Sequence, residues 1–345
     1  MVGIERGVAR GHPENTVLVA KVDTIEYMPG VSDTAKPAVS QTPRVPRRRS
    51  RRGSEVSSAY LLLAPSLFGL VAFLLFPILV VLWLSFHQWD LLSAPVWVGT
   101  DNYENVLGDA AFLNSLFVTA IFVVIVIPVQ TALGLFAASL LTRGLPGSAV
   151  FRVIYVLPWI SAPLALGIVW KWILAPTNGL LNSLIGSRIE WLTSPALALP
   201  SVAAVVIWTN VGYITLFFVA GLLSIPRHIV DAARIDGAGT SAIFWRIKLP
   251  LLRPTMFFVL VTSVISVFQL FDQIYALTKG GPHAVTDAGT LGYTDVVAMR
   301  LYTEAFSTFE LGQAGVIAVV LLVLLVIITV AQQLYFRGRT TYDLS

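Results

Sequence analysis

Residues 225–254 read IPRHIVDAARIDGAGTSAIFWRIKLPLLRP, a polar and basic island between two long apolar runs. Asp231-Ala232-Ala233 is followed after three residues by Gly237-Ala238, and after nine more by Ile247, Leu249 and Pro250. The local chemistry predicts a helix, a break and a second short helix. Pro226 suits a first helical turn, where its missing N–H would have no partner anyway, and Asp231 lies where a carboxylate meets the helix dipole favourably. Gly237, Ala238 and Gly239 are small enough to stop the helix and to let another backbone come close. Thr240 or Ser241 then caps a second turn, with Ile243, Phe244 and Ile247 on one face and Trp245, Arg246 and Lys248 elsewhere. Pro250 and Pro254 open the next apolar run, where neighbouring helices satisfy the freed carbonyls. The stretch reads as a handle by which another protein moves this one. The plainer alternative is a solvated amphipathic connector.

Composition sets the class around it. With 56% hydrophobic and 12% charged residues over 345 positions, the chain is too apolar for a soluble protein and fits a polytopic membrane protein. It contains no cysteine, which excludes disulfides, thiolate metal sites, a catalytic thiol and lipidation on sulfur.

Residues 1–55 read as a disordered tail, rich in Pro, Ser, Arg and Thr and finishing in Arg47-Arg48-Arg49-Ser50-Arg51-Arg52. The cluster is read as a positive-inside signal beside the first span, with attraction to anionic headgroups or nucleic acid as the alternative. The apolar run that follows is too long for a secretory signal, and no small-residue cleavage site closes it.

Six apolar segments follow, near 60–86, 113–141, 149–175, 199–223, 253–277 and 312–336, each with the ~20 residues needed to cross ~30 Å of hydrocarbon. One set of loops holds Arg143, Arg152, Arg227, Arg234, Arg246, Lys248, Arg253, Arg337 and Arg339. The opposite set holds only Lys171, Arg188, Lys279 and Arg300. Both termini and the 225–254 loop are therefore expected in the cytoplasm of a multi-pass plasma-membrane protein. The expected organisation is the tail, a first span with its outer loop over 56–110, a transmembrane core over 111–337, and a short cytoplasmic tail over 338–345.

The 225–254 pattern resembles the EAA loop of the permease subunits of binding-protein-dependent ABC importers: Glu-Ala-Ala, three residues, Gly, nine residues, Ile-x-Leu-Pro. Asp231 stands for the Glu, one methylene shorter with the same charge. The likeness extends along the chain through Val98-Gly99, Asn102-Tyr103, Asp109, Phe151-Arg152, Asn178 to Asn182, Phe268-Gln269 and Leu277 to Pro282. In their order these resemble the carbohydrate-importing, maltose-type branch, and within it amino-sugar permeases of actinobacteria. One departure is Gly312-Gln313-Ala314-Gly315, where the family has Gly-Tyr-Ala-Ser.

The resemblance implies an all-α polytopic membrane protein with six transmembrane helices in the MetI-like permease fold. It implies a coupling helix docked in a cytoplasmic ATPase, carried on Asp231, Ala232, Ala233, Asp236, Gly237, Ala238, Phe244, Ile247, Leu249 and Pro250. It also implies docking of an extracytoplasmic sugar-binding lipoprotein at Gly280, Gly281 and Pro282.

Ionisable and polar groups at membrane depth point to a solute path. Asp272 lies one turn beyond Gln269 in the fifth apolar segment, so both are expected on one groove, as acceptor and donor for sugar hydroxyls. Trp208, Tyr213 and Tyr275 would cover the apolar face of a pyranose, with Asn210 beside them. Plain core or lipid-facing packing is the alternative for the aromatics. Lys171, between Trp170 and Trp172, reads as an interface anchor.

The sequence holds no Gly-x-x-x-x-Gly-Lys-[Ser/Thr] loop, nucleophile elbow or His-Glu-x-x-His, which argues against an enzyme and against ATP bound on this chain. The resemblance therefore implies ATP and Mg on two partner ATPase subunits, a second, homologous permease subunit to enclose the path, membrane lipid around it and no nucleic acid. The rival readings are an ion-gradient secondary transporter with Asp272 as proton site, and a membrane scaffold or receptor.

Overall fold

The computed structural model describes residues 52–144, 147–287 and 289–337. The tail before Arg52, with most of its arginine run, and the terminal residues 338–345 lie outside the described residues. Contacts divide the chain into residues 1–60 and residues 61–345. Of the first unit, the described part is the opening of a single helix, which starts at Arg52 inside the stretch read as tail.

That helix, α1 (Arg52–Leu70), runs through a π-helical turn at Val71–Leu75 into α2 (Phe76–Leu84). The widened turn lies directly ahead of Pro77, whose ring would meet the carbonyl four residues back in a regular helix. From Tyr60 to Leu84 the side chains are apolar and face outward nearly all round, with Phe73 81% exposed. A helix apolar on every face and this long belongs in hydrocarbon.

A short hairpin, β1 (His87–Gln88) with β2 (Val96–Trp97), leads to α3 (Asp101–Gly108). Asn102 ties them together by donating from Nδ2 to the carbonyls of Ser85 and His87 at 3.1 and 3.0 Å. Next comes α4 (Ala110–Leu141), capped by the Asp109 carboxylate, which accepts from the N–H groups of Ala111 and Phe112. Beyond it lie α5 (Ser148–Ile160), α6 (Pro163–Ile173), α7 (Leu180–Ile185) and α8 (Pro195–Leu223).

The core forms between α4 and α8, where Phe122, Val126, Val202 and Val206 are buried. Gly212 of α8 lies against the backbone carbonyl of Tyr155 in α5, so close that any Cβ there would overlap it. Small residues at such crossings are how helices pack where water does not drive them together.

The polar loop follows as α9 (Arg227–Ile235), α10 (Thr240–Ile243), a π-helical turn at Phe244–Lys248 and α11 (Leu249–Leu251). Then come α12 (Arg253–Phe268), α13 (Asp272–Leu277), the hairpin β3 (His283–Thr286) with β4 (Gly289–Gly292), α14 (Val297–Phe306) and α15 (Leu311–Arg337). Gly312 and Gly315 let α15 approach the backbone at His87 and Ser85, where a Cβ would crowd the carbonyl of one and the N–H of the other. Of the two residues that depart from the family pattern, Gly315 thus serves close packing against the end of α2, while nothing in the structure explains Gln313.

The protein is all-α and polytopic apart from two small hairpins, but two expected spans are not continuous rods. Among the described residues four helices are long and apolar enough to cross a membrane: Tyr60–Leu84, Ala110–Leu141, Pro195–Leu223 and Leu311–Arg337. Two helix pairs are bent, Val150–Ile160 with Pro163–Ile173 by 97° and Thr240–Leu251 with Arg253–Phe268 by 66°; six spans result if each pair counts as one. The first bend follows from Pro163, which pushes Ala162 out of the helical region to φ −60°, ψ 120°. The fifth segment also breaks between Phe268 and Asp272, where no proline or glycine demands it. There the chain turns so that Leu270 and Ile274 join the core.

Candidate functional site

The loop at 225–254 is built by its own local chemistry. Helix α9 ends in a Schellman turn: Gly237 takes φ +83°, the Ala238 N–H reaches the Ala233 carbonyl at 2.9 Å, and the Gly237 N–H reaches that of Arg234 at 3.1 Å. The left-handed backbone, not crowding, is what favours glycine there, since the space where a Cβ would sit is open. Gly239, rather than a Thr240 or Ser241 hydroxyl, occupies the N-cap of α10.

Asp231, Ala232, Asp236 and Gly237 are exposed, while Ala233 and Ala238 are half-buried. Asp231 accepts from Arg234 Nη1 at 3.0 Å, both side chains being mostly exposed. In the following turn Ile243 is buried, Phe244, Ile247, Leu249 and Pro250 are half-buried, and Trp245 and Arg246 are exposed. The inner face of this turn therefore packs on the membrane domain, and α9 is the part left to present. Sequence reading missed its most prominent feature: Ile235 is 88% exposed. A lone isoleucine in a charged turn was the available signal.

The three candidate aromatics sit in three different ring contacts. At about 100° per residue, Trp208 and Tyr213 lie about 140° apart around α8. Trp208 meets Trp170 edge-on at 5.3 Å, whereas Tyr213 stacks on Trp159 at 4.5 Å. Asn210 donates from Nδ2 to the Val206 carbonyl of its own helix at 3.0 Å. Tyr275 belongs to a third group, with Phe271 and Tyr302 each at 5.4 Å. Gln269 and Asp272 are both exposed but flank the break between α12 and α13, so they do not share one helical face as expected. The partners Trp159 and Phe271 had no sequence signal beyond being aromatic, whereas Tyr302 opens the stretch to Phe306 that also resembles the family.

On the opposite set of loops, Gly280 and Gly281 are buried and Pro282 is half-buried. The Gly281 carbonyl accepts from Thr294 Oγ1 at 2.5 Å and that of Gly280 from the Thr294 N–H at 3.1 Å. These residues shape a packed turn rather than present a surface. What projects is the β3–β4 hairpin, with Val285 87% exposed. The hairpin is tied to α4 by Asn114 Nδ2 donating to the Gly292 carbonyl at 2.8 Å.

Next to it, Arg300 contacts Asp109 at 3.0 Å and Glu304 at 2.6 Å, and Thr308 Oγ1 donates to Glu304 at 2.6 Å. Asp295 adds a third carboxylate. Burial pushes its pKa up to about 7, against the pull of Arg300 and with the push of Glu304 and Asp109.

The family model for the inner membrane component of binding-protein-dependent transport systems matches residues 130–341, more than half of the chain. The chain belongs to this family. The permease is 35% identical over 287 residues to the sn-glycerol-3-phosphate transport system permease protein UgpA of Agrobacterium fabrum, covering 82% of this chain and 96% of that protein. It is 32% identical over 268 residues to the trehalose/maltose transport system permease protein MalF of Thermococcus litoralis, covering 76% and 86%. Among solved structures it is similar to a bacterial ABC transporter involved in import of the acidic polysaccharide alginate, with a TM-score of 0.71 at 19% identity over 85% of this chain and 100% of that one. That likeness carries the fold alone; the family match and the long apolar helices make the chain a permease that spans the membrane several times.

Proposed function

We propose that this permease forms one half of the path of an ATP-driven sugar importer and is moved through α9 by a cytoplasmic ATPase. The observation that carries the reading is α9 itself, a short exposed helix held by its Schellman turn and presenting Ile235 beside Asp231 and Arg234. A lone exposed isoleucine is ordinary on a protein surface; what singles out α9 is that Ile235 stands beside the exposed Asp231–Arg234 pair on the loop that resembles the EAA motif. The basic residues around it favour a cytoplasmic position, with both termini on the same side.

A second permease subunit completes the path, two ATPase subunits hold ATP and Mg, and a sugar-binding protein docks outside near the β3–β4 hairpin. The sugar preference is supported by the carbohydrate and polyol-phosphate systems named for its relatives. Solute passes ring groups in turn, Trp208 with Trp170, Tyr213 with Trp159 and Tyr275 with Phe271, each offering a flat apolar face beside polar groups such as Asn210, Gln269 and Asp272. ATP binding draws the ATPases together, α9 follows, and the spans open outward; hydrolysis returns them.

The test is reconstitution of the chain with a companion permease and ATPase in liposomes. Sugar uptake that requires ATP and the binding protein, and that survives an uncoupler, supports the reading. Uptake by this chain alone, driven by an ion gradient, overturns it.

A further inference from the structure

Between the end of α4 and the 225–254 loop lies a cavity of about 990 Å³, lined by none of the candidate solute residues. One wall is apolar: Ala132, Leu135 and Phe136, continuous with an outward stripe of α4 in which Val129, Leu133 and Phe136 are 42%, 46% and 62% exposed. The other end is cationic, lined by Arg143, Arg234 and Lys248. Arg234 is already paired with Asp231, but among the described residues neither Arg143 nor Lys248 is in an ion pair, and no carboxylate lines the cavity. Trp245, 62% exposed, stands at this end, where indoles favour the membrane–water boundary.

We infer that this cavity binds an anionic phospholipid, its headgroup held by Arg143 and Lys248 and an acyl chain lying along Leu135 and Phe136. The two ends demand different things of one ligand. A soluble anion would leave the apolar wall wet, and a zwitterionic lipid would bring a cation of its own to an end already lined by cations. An acidic peptide answers the charge but not the wall, which runs on into the outward face of α4. Basic pockets between helices at the cytoplasmic side suit acidic headgroups, and a volume near 1,000 Å³ is at the upper end for small-molecule sites. Only the assignment to the inner leaflet rests on the orientation proposed above. A lipid held there would bridge α4 and the loop that bears α9.

The experiment is native mass spectrometry of the full-length chain released from detergent with phosphatidylglycerol or phosphatidylcholine added. The expected result is selective retention of phosphatidylglycerol, lowered about fivefold by either Arg143→Gln or Lys248→Gln and abolished by the pair. Arg188→Gln, a cation outside the cavity, should leave retention unchanged. Equal retention of the two lipids, or selectivity that survives the double variant, overturns the site. Should the double variant fail to fold, a phosphatidylglycerol with a photoreactive acyl chain decides on the unaltered protein: labelling within 132–143 and 240–248 supports the site, and labelling confined elsewhere overturns it. ATP-driven uptake that fails while selective lipid retention persists would count against the importer reading alone. Normal uptake with no selectivity would count against the lipid site alone.

Discussion

Asp109 and Arg300 stand 191 positions apart in the sequence and 3.0 Å apart in the structure, where one arginine joins the N-cap of α4 to α14. Arg300 also holds Glu304, which is almost fully buried, so its loss would leave two carboxylates facing a third, Asp295. Arg300→Met is expected to destabilise the protein by about 2 kcal/mol, less than a fully buried pair would lose because Asp109 keeps some water. Thermal unfolding in detergent checks this, and an unchanged midpoint would exclude a structural role for the pair.

Asp295 gives the same region a pH dependence. Its folded pKa, pushed to about 7 by burial, lies above the ordinary 3.8, so the folded chain holds this proton more tightly than the unfolded one. Its contribution to stability is therefore full below pH ~4 and is lost as pH rises through ~7. Thermal unfolding at pH 5.5 and pH 8 should show the wild type weakening on the alkaline side, and Asp295→Asn should flatten that trend.

Gly237 at φ +83° sets the end of α9 without touching anything across the space a Cβ would fill. A β-branched residue there strains the turn by ~1–2 kcal/mol without a clash in this chain. Gly237→Val should leave membrane insertion intact and lower sugar-stimulated ATPase activity of the assembled complex roughly tenfold, as a misaligned helix couples less well. Full stimulated turnover in the variant would remove this turn from the coupling path.

Ile235 offers the complementary case. At 88% exposure it contributes almost nothing to the chain's own packing, so Ile235→Ser should change thermal stability by less than ~0.5 kcal/mol. Co-purification with the ATPase should fall sharply; recovery equal to wild type would show that this side chain is not a contact.

Gly212 tests the core instead. With the Tyr155 carbonyl directly against it, Gly212→Ala forces α5 and α8 apart and should cost ~1–3 kcal/mol. The expected readout is a lower unfolding temperature with α9 function spared at permissive temperature.

Much of the architecture was readable in the chain because its signals are local. Long apolar runs mark Tyr60–Leu84 and Leu311–Arg337, where apolar residues far outnumber polar ones and the one charge, Arg337, closes the second run. Gly237 announces the end of the loop helix through a preference that acts within one turn, whereas Pro226 stands before the helix as its N-cap rather than in its first turn, and Asp231 lies beyond that turn, out of reach of the dipole argument. Pro163 is the local signal for the break at Ala162, but the unbroken apolar run around it reads as one span. Where Gln269 and Asp272 were expected on one face, the break between them has no local cause.

Hydropathy and turn chemistry in the sequence alone thus determined that the protein is a bundle of membrane helices with one polar loop of defined shape. Only the tertiary structure decided that Arg300 reaches Asp109, that Trp208 and Tyr213 belong to different ring groups, and that Arg143 and Lys248 face one cavity. The physical reason is range. A helix is specified by residues three and four apart, whereas a contact across 191 positions depends on how whole helices pack, and that is settled by close fits such as Gly212 on Tyr155.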